Sequence, residues 1–411
     1  MITRRALCLA PAAAPLLSAA DNARVLTLDL SSGGPYAFPP SGKAYKENGP
    51  SHRIWRQIRI EAPDCIVLPG GKDFGLNAAG VRIHAERPKK IPKSALRREQ
   101  QQRMARPPRV WMEQWAGQYG QELREMVYTL SFSVWGRLRA GQTEAVRPIL
   151  APFLDGRMDA LAKPTASHFS GHLTLAAWHD ATGDTRARER VLAAAALARQ
   201  NPLHNEMSDS VFMVCPLLVK AGRYTGDVAW LDASLRHWET MRNLCLRKDG
   251  LYRHSPLDEA AWGRGNAFPL LGLALALTDL PVGHPAHAQF LAAFRSHAAR
   301  LLTFQTEGGC WRQVIDHKEA WEEFTCTAMI GCALLRGLRH RWLEGKETKE
   351  AVHRAWRAIQ RRSSSTGELV DVCESTGKQK TLTDYLNREA LLGKDPRGGA
   401  MALQFAAELA T

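Results

Sequence analysis

Three polar stretches interrupt a largely apolar, helix-patterned chain, and each carries side chains that can move protons or hold an anion. Asp209 stands at the head of SVFMVCPLL, a run that is almost wholly apolar. A carboxyl group beside such a surface loses hydration, which favours its neutral form; a neutral acid near pH 7 is what general acid catalysis requires. A helix N-terminus works in the opposite sense, because its partial positive charge favours the carboxylate. A helix-capping Asp is the competing reading, and spacing alone leaves both open. In the second stretch, Tyr252, His254, Trp262, Arg264 and Asn266 gather aromatic faces, an imidazole, a guanidinium and an amide in one insert. Aromatic faces stack on sugar rings, and Arg grips a carboxylate through two parallel hydrogen bonds. A loop latch competes here, with Trp262 in the core and Arg264 paired to Asp258 or Glu259. The third stretch places Trp311, Gln313, Asp316, His317, Glu322 and Glu323 ahead of FTCTAMIGCALL. Its two glutamates read as first-turn helix acids, of which one can face a pocket.

The elements that must position these residues are helices. TLAAWHDATGDTRARERVLAAA (174–195) echoes LLVKAGRYTGDVAWLDASLRHW (217–238), with the TGD triplets 43 residues apart. In each, a glycine (Gly183, Gly226) ends one helix and an aspartate (Asp184, Asp227) caps the next. That period is the length of a helical hairpin, and stacked hairpins make solenoids or closed rings. Further helices are expected at 264–278, 285–304, 320–338, 347–362 and 396–410, by their three-four apolar spacing. From Trp111 onward the helices suffice to close six hairpins, so the expected fold is all-α, an (α/α)6 barrel. The inserts at 201–209, 248–266 and 306–321 would gather at one rim and build a pocket. Residues 21–110 read differently, as an irregular N-terminal region with short alternating stretches such as ARVLTLDL, followed by a basic linker.

Composition narrows the function. The net charge of +14 suggests nucleic acid until it is located: 87–109 hold nine Lys/Arg against Glu99 alone. No aromatic residue that could stack on a base interrupts that segment, so we read it as a solvated linker or exposed helix and expect no nucleic-acid partner. The cysteines lie mostly in apolar helical patterns, as in VFMVCPLL and MIGCALL, and no Cys/His spacing suits zinc. No metal or cofactor is therefore expected. MITRRALCLAPAAAPLLSAA reads as an export signal, with Arg4 and Arg5 ahead of an apolar stretch and Ser18-Ala19-Ala20 as the cleavage candidate. The paired arginines suggest the twin-arginine route. The expected protein is periplasmic or secreted, with no membrane span after processing.

The same three stretches, in order, resemble the unsaturated glucuronyl and rhamnogalacturonyl hydrolases, glycoside hydrolase families 88 and 105. The similarity runs from about 165 to 411, through MSDSVFMVCPLL, AGRYTGD, DGLYRHSPLDEAAWGRGNAF, GGCWRQVID, EEFTCTAMIGCALLRG and GGAMALQFAAEL. The resemblance implies a six-hairpin barrel acting on the 4,5-unsaturated uronic acid that polysaccharide lyases leave at a chain end. It implies hydration of the vinyl ether, after which the hemiketal opens and expels the sugar. One carboxyl group then suffices to protonate C4 and to take a proton from the water attacking C5, unlike ordinary two-carboxylate glycosidases. Carried over, Asp209 matches the catalytic Asp and His254 the pocket histidine. Trp262 and Arg264, with Asn266 beside them in WGRGN, match the substrate-lining motif, and Glu323 matches the acid ahead of Thr325-Cys326. Where such families place a second Asp, this chain has ASHFSGHL; His168 is the candidate substitute, and His204 is a further candidate for substrate binding. An acidic oligosaccharide is the implied partner. Two alternatives are an α/α-barrel uronidase or lyase of different reaction type, and a non-catalytic binder of acidic glycans.

Overall fold

The computed structural model describes residues 23–30, 36–45, 49–70 and 72–411. The expected export signal, residues 1–20, lies outside the described residues. The N-terminal part is more ordered than its sequence suggests. Strand β1 (Val25–Thr27), helix α1 (Pro50–Glu61), strands β2 (Cys65–Val67) and β3 (Arg82–His84), and helix α2 (Ala95–Ala105) form a small sheet-and-helix module. The three strands run parallel in the order β1-β2-β3, with Leu26 beside Ile66 and Ile66 beside Ile83. Leu26, Leu28, Phe38, Trp55, Ile58, Ile66 and Leu96 make its own core, separate from the larger one. The expected basic linker is thus largely a helix. Ser94 caps α2, Arg97 pairs with buried Asp64, and Arg103 and Gln100 are buried. Of the two readings of this segment, linker or exposed helix, the helix is found; charge counting did not show that its polar side chains are partly buried with partners.

Beyond the module, α3 (Pro108–Ala116) is followed by α4 (Tyr128–Arg139), α5 (Thr143–Leu154), α6 (Ala166–Gly171), α7 (Leu173–Thr182) and α8 (Thr185–Gln200). Then come α9 (Ser210–Thr225), α10 (Ala229–Cys245), α11 (Gly263–Asp279) and α12 (Pro285–Leu302). Short β4 (Trp311–Arg312) and β5 (Glu322–Glu323) precede α13 (Phe324–Arg339) and α14 (Lys346–Arg361). The chain ends in β6 (Leu369–Cys373), α15 (Leu382–Leu386), β7 (Ala390–Gly393) and α16 (Pro396–Ala410). The packing closes a ring: α4 touches α6 and α7, α9 touches α6 and α11, α13 touches α11 and α16, and α16 returns to α4. Outside it, α5, α8, α10, α12 and α14 each pack on the inner helix they follow, and α3 packs on α16. The fold is an (α/α)6 barrel, and its sixth hairpin is assembled from two distant parts of the chain.

Burial sorts the helices as position demands. Nearly every residue of inner α9 and α11 is buried, because an inner helix has neighbours on all sides. Outer α8 buries only Ala187, Val191, Ala194, Ala195 and Ala198, a single stripe. The TGD turns behave as read: Gly183 and Gly226 adopt left-handed φ of 75° and 74°, Asp184 accepts from the Arg186 N–H, and Asp227 from the Ala229 N–H. Gly263, in WGRGN, is needed for close approach, since a Cβ there would stand 2.6 Å from the Arg312 carbonyl oxygen.

Asp371 ties the module to the barrel. It sits at a bulge in the β6–β7 pairing with φ 68°, fully buried, and takes Arg56 and Tyr45 from the module and Arg362 from the barrel. Among the described residues, no helix is long and apolar enough to cross a membrane.

Candidate active site

Asp209, Trp262, Glu323 and Asp395 are the residues from which α9, α11, α13 and α16 start. Tyr128 opens α4, and His168 lies in the first turn of α6. The inner helices therefore point their N-termini at one rim. Each terminus brings partial positive charge to the rim, which two of them already share with resident carboxylates, Glu323 at α13 and Asp395 at α16. The opposite mouth, at the C-terminal ends, holds a cavity of about 900 Å3. There Lys220 and Arg223 pair with Asp180 and Asp279, which balances the carbonyl ends. No candidate catalytic residue lines that cavity.

Asp209 does not cap α9: its side chain makes no capping hydrogen bond. It is 3% exposed, and Oδ2 accepts from the Thr376 hydroxyl at 3.0 Å. Its other oxygen, Oδ1, lies 3.2 Å from His254 Nε2 but off the line of a good hydrogen bond, so it has no aligned donor. On the far side of the imidazole, Nδ1 is 2.8 Å from the Tyr385 hydroxyl. The Gln379 N–H donates to that same hydroxyl oxygen, leaving the phenolic proton free to go to Nδ1. With the phenol as donor, the imidazole proton sits on Nε2, facing Asp209. The Gln313 amide donates to the Tyr385 carbonyl at 2.6 Å and fixes this support from below.

Trp262 lies against His254 with ring centroids 4.4 Å apart. Two guanidinium groups stack on the indole, Arg264 at 4.6 Å and Arg388 at 4.7 Å. Arg264 is fully buried and donates to the Cys373 and Ser375 carbonyls, not to Asp258 or Glu259. Glu323 is 3.9 Å from it, and its two oxygens accept from the Cys326 and Cys373 N–H groups. Glu323 thus holds the start of α13 and the end of β6 together. Glu322 lies in the strand ahead of the helix, bound to Thr306 and Arg362. Neither glutamate is a first-turn helix acid as their spacing suggested, because β5 pairing with β4 delays the helix start to Phe324.

Other expected site residues have structural duties. Asn266 spends its amide on the backbone of Tyr252 and on the Trp262 carbonyl, clamping the insert to α11. His168 forms a reciprocal cap with Thr165 and pairs with Glu125 at 3.1 Å, which does not bring it to Asp209. Burial lowers its pKa, partly offset by Glu125. His204 turns its own loop, accepting from the Glu206 N–H. His172 is buried against the His168 carbonyl, and burial lowers its pKa to about 4, so it stays neutral. Asp316 pairs with Arg247, and His317 with Glu319.

Sequence reading missed Tyr128, Thr376, Tyr385 and Arg388. The buried Tyr128 hydroxyl has no hydrogen-bond partner among the described residues. Burial raises its pKa to about 12, while the Arg264 cation pulls it down and the Asp209 carboxylate pushes it up. Thr376, Tyr385 and Arg388 lie on the segment between β6 and β7, which carries no helical period. Residues 374–380 of that segment close the site. Besides Thr376 on Asp209, Arg388 donates to the Glu374 and Gly377 carbonyls, and Lys378 to the Asn205 carbonyl and Glu206. No cluster of metal-ligating side chains occurs among the described residues.

Residues 166–411 match the family model described as Glycosyl Hydrolase Family 88. An unsaturated 3S-rhamnoglycuronyl hydrolase of Alteromonas sp. (strain LOR) is 25% identical over 174 residues, 39% of this chain and 42% of that one. The unsaturated rhamnogalacturonyl hydrolase YesR of Bacillus subtilis (strain 168) is 23% identical over 186 residues, 43% of this chain and 52% of that one. The chain therefore spans about half the length, or less, of these curated relatives. Among solved structures, a possible member of the GH105 family from Salmonella enterica serovar Paratyphi A superposes with a TM-score of 0.63 at 19% identity, over 79% of this chain and 96% of that one. The unsaturated glucuronyl hydrolase from Bacillus sp. GL1 gives 0.53 at 16% identity, over 68% and 84%.

Proposed function

Because this chain belongs to glycosyl hydrolase family 88, we propose that it removes a terminal 4,5-unsaturated uronic acid from lyase-generated acidic oligosaccharides. The observation that carries this reading is Asp209. It is a buried carboxyl group at a helix start that caps nothing, with one oxygen held by Thr376 and the other lacking an aligned donor. The oxygen without an aligned donor is the one that would carry the transferable proton to C4. The resulting carboxylate then takes a proton from the water that adds at C5, with His254 orienting it. The adduct is a hemiketal, whose ring opening expels the remaining sugar. The substrate carboxylate would meet the convergent helix N-termini and Arg264, with Trp262 under the ring.

Substrate entry requires motion. Asp209, His254, Trp262 and Arg264 are all buried, with Thr376 on Asp209 and the Ser375 carbonyl on Arg264, so 374–380 must withdraw, and groups of the substrate then replace Thr376 and the carbonyls on Arg264.

The test is incubation with a lyase-generated unsaturated disaccharide, followed by its ultraviolet absorbance. Hydration destroys the conjugated double bond and the absorbance falls. A lyase, a conventional uronidase acting elsewhere or a glycan binder would leave the double bond and its absorbance in place, and any of these outcomes overturns the proposal. Export belongs to the same proposal and rests on Arg4, Arg5 and the apolar stretch to Ala20. N-terminal sequencing of protein from the periplasm and medium should find residue 21 at the mature terminus; an intact Met1 in those fractions would overturn cleavage.

A further inference from the structure

A second cavity, about 610 Å3, opens beside the closed site, between the N-terminal module and the barrel rim. Its size is within the range of small-ligand sites. The module contributes Tyr45, Arg53 and Arg56; the barrel contributes half-buried Trp321 and, from the segment between β6 and β7, Arg388 and Glu389. Two of the three guanidinium groups have no carboxylate partner among the described residues. Arg56 is tied to Asp371 at 2.9 Å, whereas Arg388 donates to carbonyls and the exposed Arg53 side chain has no partner among the described residues. Against them stands Glu389, so the lining retains a positive excess around one aromatic face.

The cavity and the candidate active site share a wall. Arg388 lines the cavity, and its guanidinium stacks on Trp262; Trp262 packs on His254, which adjoins Asp209. We propose that this cavity is a subsite for a further acidic sugar of the same substrate, its carboxylate or sulfate held by Arg53 and Arg388 and its ring laid on Trp321. The inference rests on the function proposed above for the chemistry at Asp209, but the residues that define it include a part of the chain, Tyr45 to Arg56, outside the family match. It also gives the module a task beyond bracing Asp371: supplying Arg53 as a cation for the ligand. Guanidinium groups are suited to that task, because their fork pairs with both oxygens of an anion and their plane stacks on rings.

Binding and turnover are measured separately. By calorimetry, the full chain should bind saturated tetragalacturonate or a heparin-derived tetrasaccharide at least tenfold more tightly than neutral maltotetraose. Preference for the first or the second identifies the anion as carboxylate or sulfate. Arg53→Ala and Trp321→Ala should each weaken the favoured ligand about tenfold. In turnover, the ratio of tetrasaccharide to disaccharide KM should rise in both variants. Equal binding of maltotetraose, or an Arg53→Ala protein that binds the acidic ligands as wild type does, overturns the subsite even if the disaccharide is turned over. Arg53-dependent binding without turnover of any unsaturated substrate would uphold the subsite while sinking the proposed reaction.

Discussion

At Asp209 the two carboxylate oxygens differ in their surroundings, and that difference yields the first prediction. Asp209→Asn keeps an acceptor for Thr376 but removes the transferable proton. Because the side chain makes no capping bond, the usual loss of about 1 kcal/mol for a deleted cap is not expected. The melting temperature should therefore stay near wild type while turnover falls by at least ~10²–10⁴-fold, the usual contribution of a positioned acid or base. Loss of fold in place of rate would refute the assignment. A second prediction concerns Tyr385, which touches His254 and not the reacting atoms. Tyr385→Phe frees the tautomer, so kcat should drop about 10–100-fold and the acidic limb of its pH profile should move. An unshifted profile would mean that the tyrosine only packs. Asp209, His254, Trp262 and Arg264 could be singled out as candidates from the sequence because each lies in or beside a continuous polar insert flanked by apolar helix, and the fold brings them together. Tyr385 and Thr376 were not, since they reach the site from 131 and 167 residues away along the chain, on a segment without a period. For Asn266 and His168 the sequence contains the chemistry but not the groups that occupy it here, the backbone of Tyr252 and Trp262 for one and Thr165 and Glu125 for the other.

Among elements, the joint of α16 with α4 and α13 is built on a buried charge cluster. Glu408 is 1% exposed and bonds Arg139 of α4 at 2.9 Å, Arg336 of α13 at 2.8 Å and Arg339 of α13 at 2.6 Å. Burial pushes its pKa up, yet Arg336, Arg139 and Arg339 more than offset this and hold it at about 2. The contribution is fully present above the ordinary glutamate value near 4.5 and is lost as pH falls toward 2. At pH 7, Glu408→Gln strands three guanidinium groups around a neutral amide, and unfolding free energy should drop by about 3–5 kcal/mol. Urea denaturation measures this, and a loss under 1 kcal/mol would show that water screens the cluster. The repeat at 174–195 and 217–238 disclosed the hairpin unit but not this joint, because α3 and α16 are related by closure and not by sequence likeness.

For the whole molecule, pH acts through histidines sealed in the barrel as well as through its acids. His172 and His237 both have pKa values lowered to about 4, principally by burial, with backbone hydrogen bonds from His168 and Ser210 working the other way. In the unfolded chain each would titrate near 6.5, so protonation favours unfolding between those values. Stability should be at its plateau above pH 6.5 and should fall by about 2 kcal/mol per histidine by pH 5. Urea melts of wild type at pH 7 and 5, beside His172→Gln and His237→Gln, check this: each variant should show a smaller drop between the two pH values. An identical drop would place the acid sensitivity elsewhere. The barrel itself was readable as a class because the 43-residue hairpin echo and the three-four apolar spacing recur along the chain. The N-terminal module was not, since three-residue strands leave almost no alternation to detect.

The ring is shut by helices from opposite sides of the barrel sequence, α3 and α4 against α16, and this constrains the order of events during synthesis. While the nascent chain leaves the ribosome, α4 through α13 can pair with sequential neighbours as an open crescent. The apolar flanks of α4 and α13 then wait uncovered until 396–410 emerge. Such a crescent exposes surface prone to sticking to another copy, as long-range closure generally does. The closing helix therefore acts as a checkpoint on the product: chains released before it has docked should be found with chaperones or in aggregates, in preference to the pool of partly active enzyme.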